Sequence, residues 1–397
     1  MPMHTQIPVP EAWLNLAALL PSPLPIARFS DGQTVSFDGL AKIYSEECAR
    51  IELLDGPYGA DAWIPIPEEV AREYAKYRPT PVHRARGFEK AIGYAGAIYC
   101  KREDLSPTGS HKPNTAIPQA YYARKQGLAE LITDTGAGQW GCALGWSCHN
   151  LGVRCTVFMT RNSYSAKPYR RYLMQLAGAT AIASPSPFTK CGRALFEQDP
   201  GHPGSLGIGM SEAMEMVAAR PDARLALGCM SYYAALHQTV IGIELAGQLQ
   251  EHRVEPDLAI GCVGGGTNFT GFISPFAAAR FGHGPWRCLL YTSPPRGLPG
   301  WCGAGVFPTW ARSSSRFCLS TSGTGICSRT RSHTGTSHST APTEMGKTPC
   351  CATWRGRCRR LLASREDGEP RSARRTSRSI FTWKPPPDTP RCRSEIT

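Results

Sequence analysis

Residues 96–141 read GAIYCKREDLSPTGSHKPNTAIPQAYYARKQGLAELITDTGAGQWG, and this stretch decides the architecture. GAIYCKRE alternates apolar and polar positions as a strand does. PNTAIPQAYYARKQG reads as a helix that ends at Gly127. LAELITDT is a second strand, and it runs into glycines and small residues that open another helix. Further along, RCTVFM is a short buried strand, TAIASPSP and LALGCM repeat the pattern weakly, and PDLAIGCV is a strand run that stops at three glycines. Strands alternating with helices predict an α/β fold of parallel sheets with helices on both faces. In such sheets ligands collect at loops leaving the carboxyl ends of strands. Upstream, the proline-rich stretch 10–75 carries no evident chemistry, and WIPIPEEVAREYAKY predicts a short helix with Pro67 near its start.

Three of these loops carry unusual residues. The first is Gly109-Ser110-His111-Lys112-Pro113-Asn114, a lysine in a Gly/Ser loop ahead of a helix. A lysine that attacks an aldehyde and later moves protons at a substrate α-carbon needs a partly desolvated site and a cofactor acting as electron sink. The second is Gly264-Gly265-Gly266-Thr267-Asn268, between the strand LAIGCV and the helix FTGFISPFAAARF. Glycines let a backbone approach a phosphate, and the following N–H groups and helix N-terminus supply positive potential. G-x-x-x-x-G-K-[ST] is missing and the G-x-G-x-x-G spacing does not fit, so a single phosphate monoester suits this loop better than a nucleotide. The third is Asp134-Thr135-Gly136-Ala137-Gly138-Gln139-Trp140-Gly141, where exposed N–H groups would hold a carboxylate and Asp134 would serve as general acid. Each has a plainer reading taken alone: a solvated surface lysine, a tight strand-to-helix turn, a helix-terminus aspartate.

Composition divides the chain in two. Residues 1–285 hold 25 Lys+Arg against 25 Asp+Glu, whereas 286–397 hold 19 against 6 and so carry all of the +13 net charge. Of those 19 basic residues 17 are Arg, and Leu, Ile, Val and Phe together number only 13 there, below what a packed core needs. Runs such as RSARRTSRS show neither helical nor strand periodicity. The expected organisation is an α/β region over 1–285, which the resemblance described below makes a catalytic region of two intertwined lobes, and a separate tail over 286–397, disordered or translated out of frame from GC-rich DNA. A basic nucleic-acid arm is the weaker alternative, since the tail has two lysines and no regular interleaving of aromatics. Eight of the 16 cysteines precede residue 286, without C-x-x-C or zinc-type spacing; they predict buried free thiols and no metal. No apolar run reaches 18 residues and MPMHTQIPVPEAW is no secretory signal, so the expectation is a cytoplasmic protein without membrane or nucleic-acid partners.

These motifs occur in an order that resembles one family. Arg78-Pro79-Thr80-Pro81, then Lys101-Arg102-Glu103-Asp104-Leu105, then Gly-Ser-His-Lys-x-Asn, followed by T-G-A-G-Q and G-G-G-[ST]-N, are similar to the tryptophan synthase β-chain family. Trp63-Ile64-Pro65-Ile66-Pro67-Glu68-Glu69, KPYRR (167–171), SPSPFT (184–189), HPGSLGI (202–208) and HQTVIG (237–242) resemble its longer, second-type branch. The likeness runs from about residue 10 to about 280.

The resemblance implies a pyridoxal-phosphate (PLP) enzyme of fold type II, with two lobes built on parallel sheets. Lys112 would hold the cofactor as a Schiff base and take the substrate α-proton. His111 would neighbour the cofactor phosphate and ring, with Asn114 also in the cofactor site. Gly264, Gly265, Gly266, Thr267 and Asn268 would cradle the phosphate. Thr135, Gly136, Ala137, Gly138 and Gln139 would take the substrate carboxylate. The implied reaction is β-replacement, L-serine plus indole giving L-tryptophan and water, by a homodimer that an α chain can supply with indole. Alternatives are a serine or threonine dehydratase, a cysteine synthase, or an inactive truncated product. Two departures bear on activity. Asp134 stands where the family has Glu, and a displacement near 1 Å costs about a hundredfold in rate. The sheet and helix segments that follow the family's glycine loop are also missing; Ser322-Gly323-Thr324-Gly325 has the letters of its Ser-Gly-x-Gly piece but lies too early and follows no strand.

Overall fold

A computed structural model describes residues 7–25, 27–28 and 32–280, together with the strand 378–381. Its centre is a four-stranded, all-parallel sheet made of β5 (Glu130–Thr135), β6 (Arg154–Thr160), β7 (Thr180–Ser184) and β8 (Ala223–Leu225), in the order β7-β6-β5-β8. The register runs Glu130↔Arg154 to Thr135↔Met159 between β5 and β6. Five of the six β5 residues are buried, and so are the five middle residues of β6. Burial on both faces is why these strands read as near-continuous apolar runs. Helices Gln139–Leu151, Pro168–Leu176 and Leu206–Ala218 pack against this sheet.

A second sheet has the order β3-β4-β10-β9, with β3 (Val82–Arg84), β4 (Ala97–Lys101), β9 (Leu258–Ile260) and β10 (Arg378–Phe381). It departs from the expected parallel arrangement at one edge, because β3 pairs antiparallel with β4. Only the short helix Arg86–Ile92 separates the two, so β4 returns beside β3 without a crossover that would align them. The small antiparallel pair of β1 (Ala12–Leu14) and β2 (Trp63–Pro65) was not foreseen in the proline-rich N-terminal stretch. The expected helix after Pro67 is present as Glu68–Ala75, with Pro67 at its N-cap.

The tail also departs from expectation, at four residues. β10 lies between β4 and β9 and pairs parallel with both, Ile380 facing Tyr99 on one side and Ala259 on the other. Two strands too far apart to bond each other expose a row of N–H and C=O groups, and a third strand between them satisfies both rows. The remainder of the tail, Ser322–Gly325 included, lies outside the described residues.

Two prolines inside helices are compensated by side chains. Pro118 interrupts the helix Pro113–Lys125 and cannot donate to the carbonyl of Asn114 four residues back; the Tyr74 hydroxyl donates to it instead. Pro275 interrupts Thr267–Arg280 likewise, and Ser274 Oγ donates to the Gly271 carbonyl at 2.9 Å. The main core joins Trp13, Tyr74, Ile117, Leu144, Tyr233 and Phe272, and a separate cluster of Ile132, Phe158, Ala213, Val217 and Leu225 packs the helix Leu206–Ala218 onto the central sheet. Among the described residues no disulfide forms, but only Cys48, Cys142, Cys148 and Cys155 are buried; Cys100, Cys191 and Cys229 are half-buried and Cys262 is exposed.

Candidate active site

Lys112 stands at the N-cap of the helix Pro113–Lys125. Pro113 at the first helical position has its φ set for the helix and lacks an N–H that would go unpaired. The loop ahead is pinned from within. Ser106 Oγ accepts from Ser110 N at 3.1 Å and donates to the Ser110 carbonyl at 2.5 Å, while Lys112 N donates to Ser110 Oγ at 3.4 Å. Lys112 Nζ donates to the Gly228 carbonyl, in the loop that follows β8. Half-buried His111 precedes it in the same loop.

Asn114 sits differently from expectation. It is fully buried, and its amide is taken up inside the protein. Its Oδ1 accepts from Arg78 Nη1 at 2.7 Å and from Tyr77 OH at 2.8 Å. Its Nδ2 donates to Glu103 Oε2 and to Gln238 Oε1, each at 3.0 Å. Asn114 thus faces away from the loop and fastens the start of the Lys112 helix to a buried charge cluster. In that cluster Arg78 Nε and Nη2 donate to the two Glu244 oxygens at 2.6 and 2.9 Å, and Lys101 Nζ donates to Glu244 Oε2 at 2.9 Å. Two cations and two carboxylates balance there. Burial pushes the Glu103 carboxyl up, but the Arg78 and Lys101 charges, with hydrogen bonds from Arg78 and Thr80, outweigh it and hold Glu103 at about 2.

Asp134 is the penultimate residue of β5, ahead of the loop that opens the helix Gln139–Leu151. Burial pushes its carboxyl up to about 6, against a hydrogen bond from its own backbone and the opposing charge of Lys112. The loop Thr135–Gln139 turns sharply at Gly138, whose φ is +89° and where a Cβ would stand 2.8 Å from Arg170 Cβ and 3.1 Å from Met159 Cε. Thr135 Oγ1 accepts from Gly141 N at 3.4 Å, which leaves the N–H groups of the first helical turn at the end of β5. Leu206 covers this loop, its Cδ2 lying 3.2 Å from where a Gly136 Cβ would be.

Two of the three glycines are required, for different reasons. Gly266 has a φ of +90°. A Cβ on Gly265 would strike Cys229 Cβ at 2.5 Å, whereas nothing lies within 4 Å of one on Gly264. Thr267 begins the helix Thr267–Arg280 and is buried, while half-buried Asn268 donates through Nδ2 to the Cys262 carbonyl at 3.2 Å. β9 is shorter than the apolar run suggested, so Gly261, Cys262 and Val263 belong to the loop.

Sequence reading did not single out the loop after β8 as part of the site. Trp140 Nε1 donates to Thr133 Oγ1 at 2.7 Å, and its ring fills the space beside Gly228, where a Cβ would lie 2.5 Å from Cδ2. Gln119, two turns into the Lys112 helix, donates to the Leu227 carbonyl at 2.8 Å and accepts from Leu227 N at 3.0 Å. The signal was the glycine inside the weak strand run LALGCM.

A cofactor that carries both an aldehyde and a phosphate fits these residues. Lys112 supplies the amine, and the open face at Gly264 with the helix N-terminus at Thr267 offers room and N–H donors for the phosphate. Among the described residues no cluster of three or more His, Cys, Asp or Glu could hold a metal ion, and no helix is long and apolar enough to cross a membrane.

Comparison with known proteins agrees with that fit. The family described as pyridoxal-phosphate dependent enzyme matches residues 74–293. The chain is 46% identical over 271 residues to tryptophan synthase beta chain 2 of Aquifex aeolicus, covering 68% of this chain and 61% of that one. It is 44% identical over 292 residues to tryptophan synthase beta chain 2 of Methanothermobacter thermautotrophicus, covering 73% and 66%. Against the protein of that name from Thermotoga maritima it is 44% identical over 269 residues, covering 68% and 63%. The chain thus spans less than two thirds of the length of the curated relatives it matches. With the family match over more than half its length, this chain belongs to the pyridoxal-phosphate dependent enzyme family.

Proposed function

We propose that the chain makes tryptophan, as its relatives are named for doing, by a β-replacement that joins L-serine to indole to give L-tryptophan and water. The observation that carries this reading is the nearness of a basic and an acidic group: the Asp134 carboxyl, pushed up to about 6 by burial, feels the charge of Lys112. When bound, PLP supplies an electron sink that makes the substrate α-proton removable. The chain's own residues do the rest. Lys112 holds the cofactor through its amine and takes the proton from the serine Cα. The N–H groups at Thr135, Gly136, Ala137, Gly138 and Gln139 receive the serine carboxylate and fix which face of Cα meets the amine. Asp134 gives a proton to the departing hydroxyl, so that water and not hydroxide leaves. Gly264, Gly265, Gly266, Thr267 and Asn268 hold the phosphate, with His111 beside it. Asn114 acts one step back, by fastening the helix that starts at Lys112.

The same reading assigns a cytoplasmic homodimer, with an α chain as a source of indole. The test is to incubate the cofactor-loaded full chain with L-serine, with and without indole. Tryptophan formed only with indole supports the reading. Pyruvate and ammonia formed at the same rate with or without indole would replace it with a dehydratase.

A further inference from the structure

Two adjacent residues after β8 touch the two ends of the cofactor site. The Gly228 carbonyl accepts from Lys112 Nζ. The next side chain, Cys229, stands where the middle glycine of the phosphate loop has no side chain: a Cβ on Gly265 would lie 2.5 Å from Cys229 Cβ and 2.8 Å from its Sγ. Any group that bridges the Lys112 amine and the loop Gly264–Asn268 therefore runs along Gly228 and Cys229. The segment cannot swing aside easily. Gln119 holds Leu227 from one side by two hydrogen bonds, and the Trp140 ring is packed against Gly228. Met230, with a φ of +61° and 74% exposed, turns outward to solvent. Cys229 is free and half-buried, unlike the four buried thiols of the core. No space remains on its Gly265 side for atoms added to Sγ.

We propose that Cys229 is a cofactor-shielded thiol lining the floor between the Lys112 amine and the glycine cradle, where a soft alkylating electrophile and PLP exclude one another. This rests on the reading of the same loops as the PLP site. The plainer account is that Cys229 only packs one loop against another, in which case cofactor and reagent would ignore each other.

The experiment compares the full chain with and without PLP under limiting iodoacetamide, followed by peptide mass spectrometry. Alkylation forms a carbon–sulfur bond, expels iodide and releases the thiol proton to solvent. Cys191, in the separate helix Lys190–Gln198, is the internal reference. Bound PLP should slow labelling of Cys229 by about fivefold or more while Cys191 changes by less than about twofold, because thiol labelling follows accessibility. In the reverse order, chain alkylated first at Cys229 should fail to take up PLP, whereas Cys229→Ser should still take it up after the same treatment. Equal labelling of Cys229 in chain that carries PLP trapped by borohydride on Lys112 overturns the proposal while leaving the PLP site standing. So does uptake of PLP by chain already alkylated at Cys229. Absence of any trapped PLP on Lys112 overturns the reading beneath it, and the proposal with it.

Discussion

Asp134 sets the acid–base character of the site. Its carboxyl is raised to about 6 by burial, with Lys112 pulling the other way. A carboxyl raised on folding binds protons more tightly in the native state, so its contribution to stability is fully present below the unfolded value and is lost as pH rises through about 6. In cofactor-free chain, Asp134→Asn should therefore gain stability over the parent between pH 4 and pH 7. Discounted for partial exposure, the gain is on the order of 1 kcal/mol by thermal or urea unfolding. A constant difference across that range would show that Asp134 is not desolvated as described. In the proposed reaction the same residue is the acid: Asp134→Ala should lower tryptophan formation by about a hundredfold or more with PLP uptake retained, while Asp134→Glu keeps or raises it. Equal turnover with Asp and Ala would remove Asp134 from the reaction. Lys112 and Asp134 were legible in the sequence because each sits in a short motif whose chemistry depends on the side chain. Gly228 was not, because its contribution is a backbone carbonyl, which any residue carries. The burial of Asn114 was hidden for a related reason: its partners Arg78, Glu103 and Gln238 lie far apart in the sequence and meet only in the fold.

Among the elements, the helix Pro113–Lys125 matters most, because it positions Lys112 and is itself held by buried charges. Glu244, on the helix Thr239–Glu251, receives both Arg78 and Lys101. Glu244→Gln keeps the shape but removes one of two compensating negative charges, and leaving a buried cation unbalanced costs about 3–5 kcal/mol. The urea midpoint should fall accordingly, and an unchanged midpoint would mean that water reaches the cluster. Strands β5 and β6 could be read from sequence because burial on both faces writes a continuous apolar run. β1, β2, β3 and β9 span three residues each, too few to display a period of two, and their pairing is set by contacts distant in sequence. The antiparallel β3 belongs to this group.

At the scale of the whole molecule, the charge-balanced region up to residue 285 carries nearly all of the described structure, and the Arg-rich tail contributes β10 to its second sheet. Composition sets the tail apart from the rest but gives no sign of the strand, since RSIF is too short to stand out from its surroundings. β10 fills the gap between β4 and β9, and β9 leads directly to the glycine cradle. Ile380→Pro should remove a ladder N–H in mid-sheet and lower stability by about 1 kcal/mol or more, read as a fall in the denaturant midpoint. No change would show that the sheet does not depend on β10.

The central claim is that one lysine, placed by the start of the Pro113–Lys125 helix, holds the cofactor. Its most direct test is borohydride reduction of the full chain loaded with PLP, followed by peptide mapping. The account predicts a pyridoxyl group on the peptide containing Lys112 and on no other lysine. Reduction products on a different lysine, or none in chain that unfolds cooperatively, would contradict it.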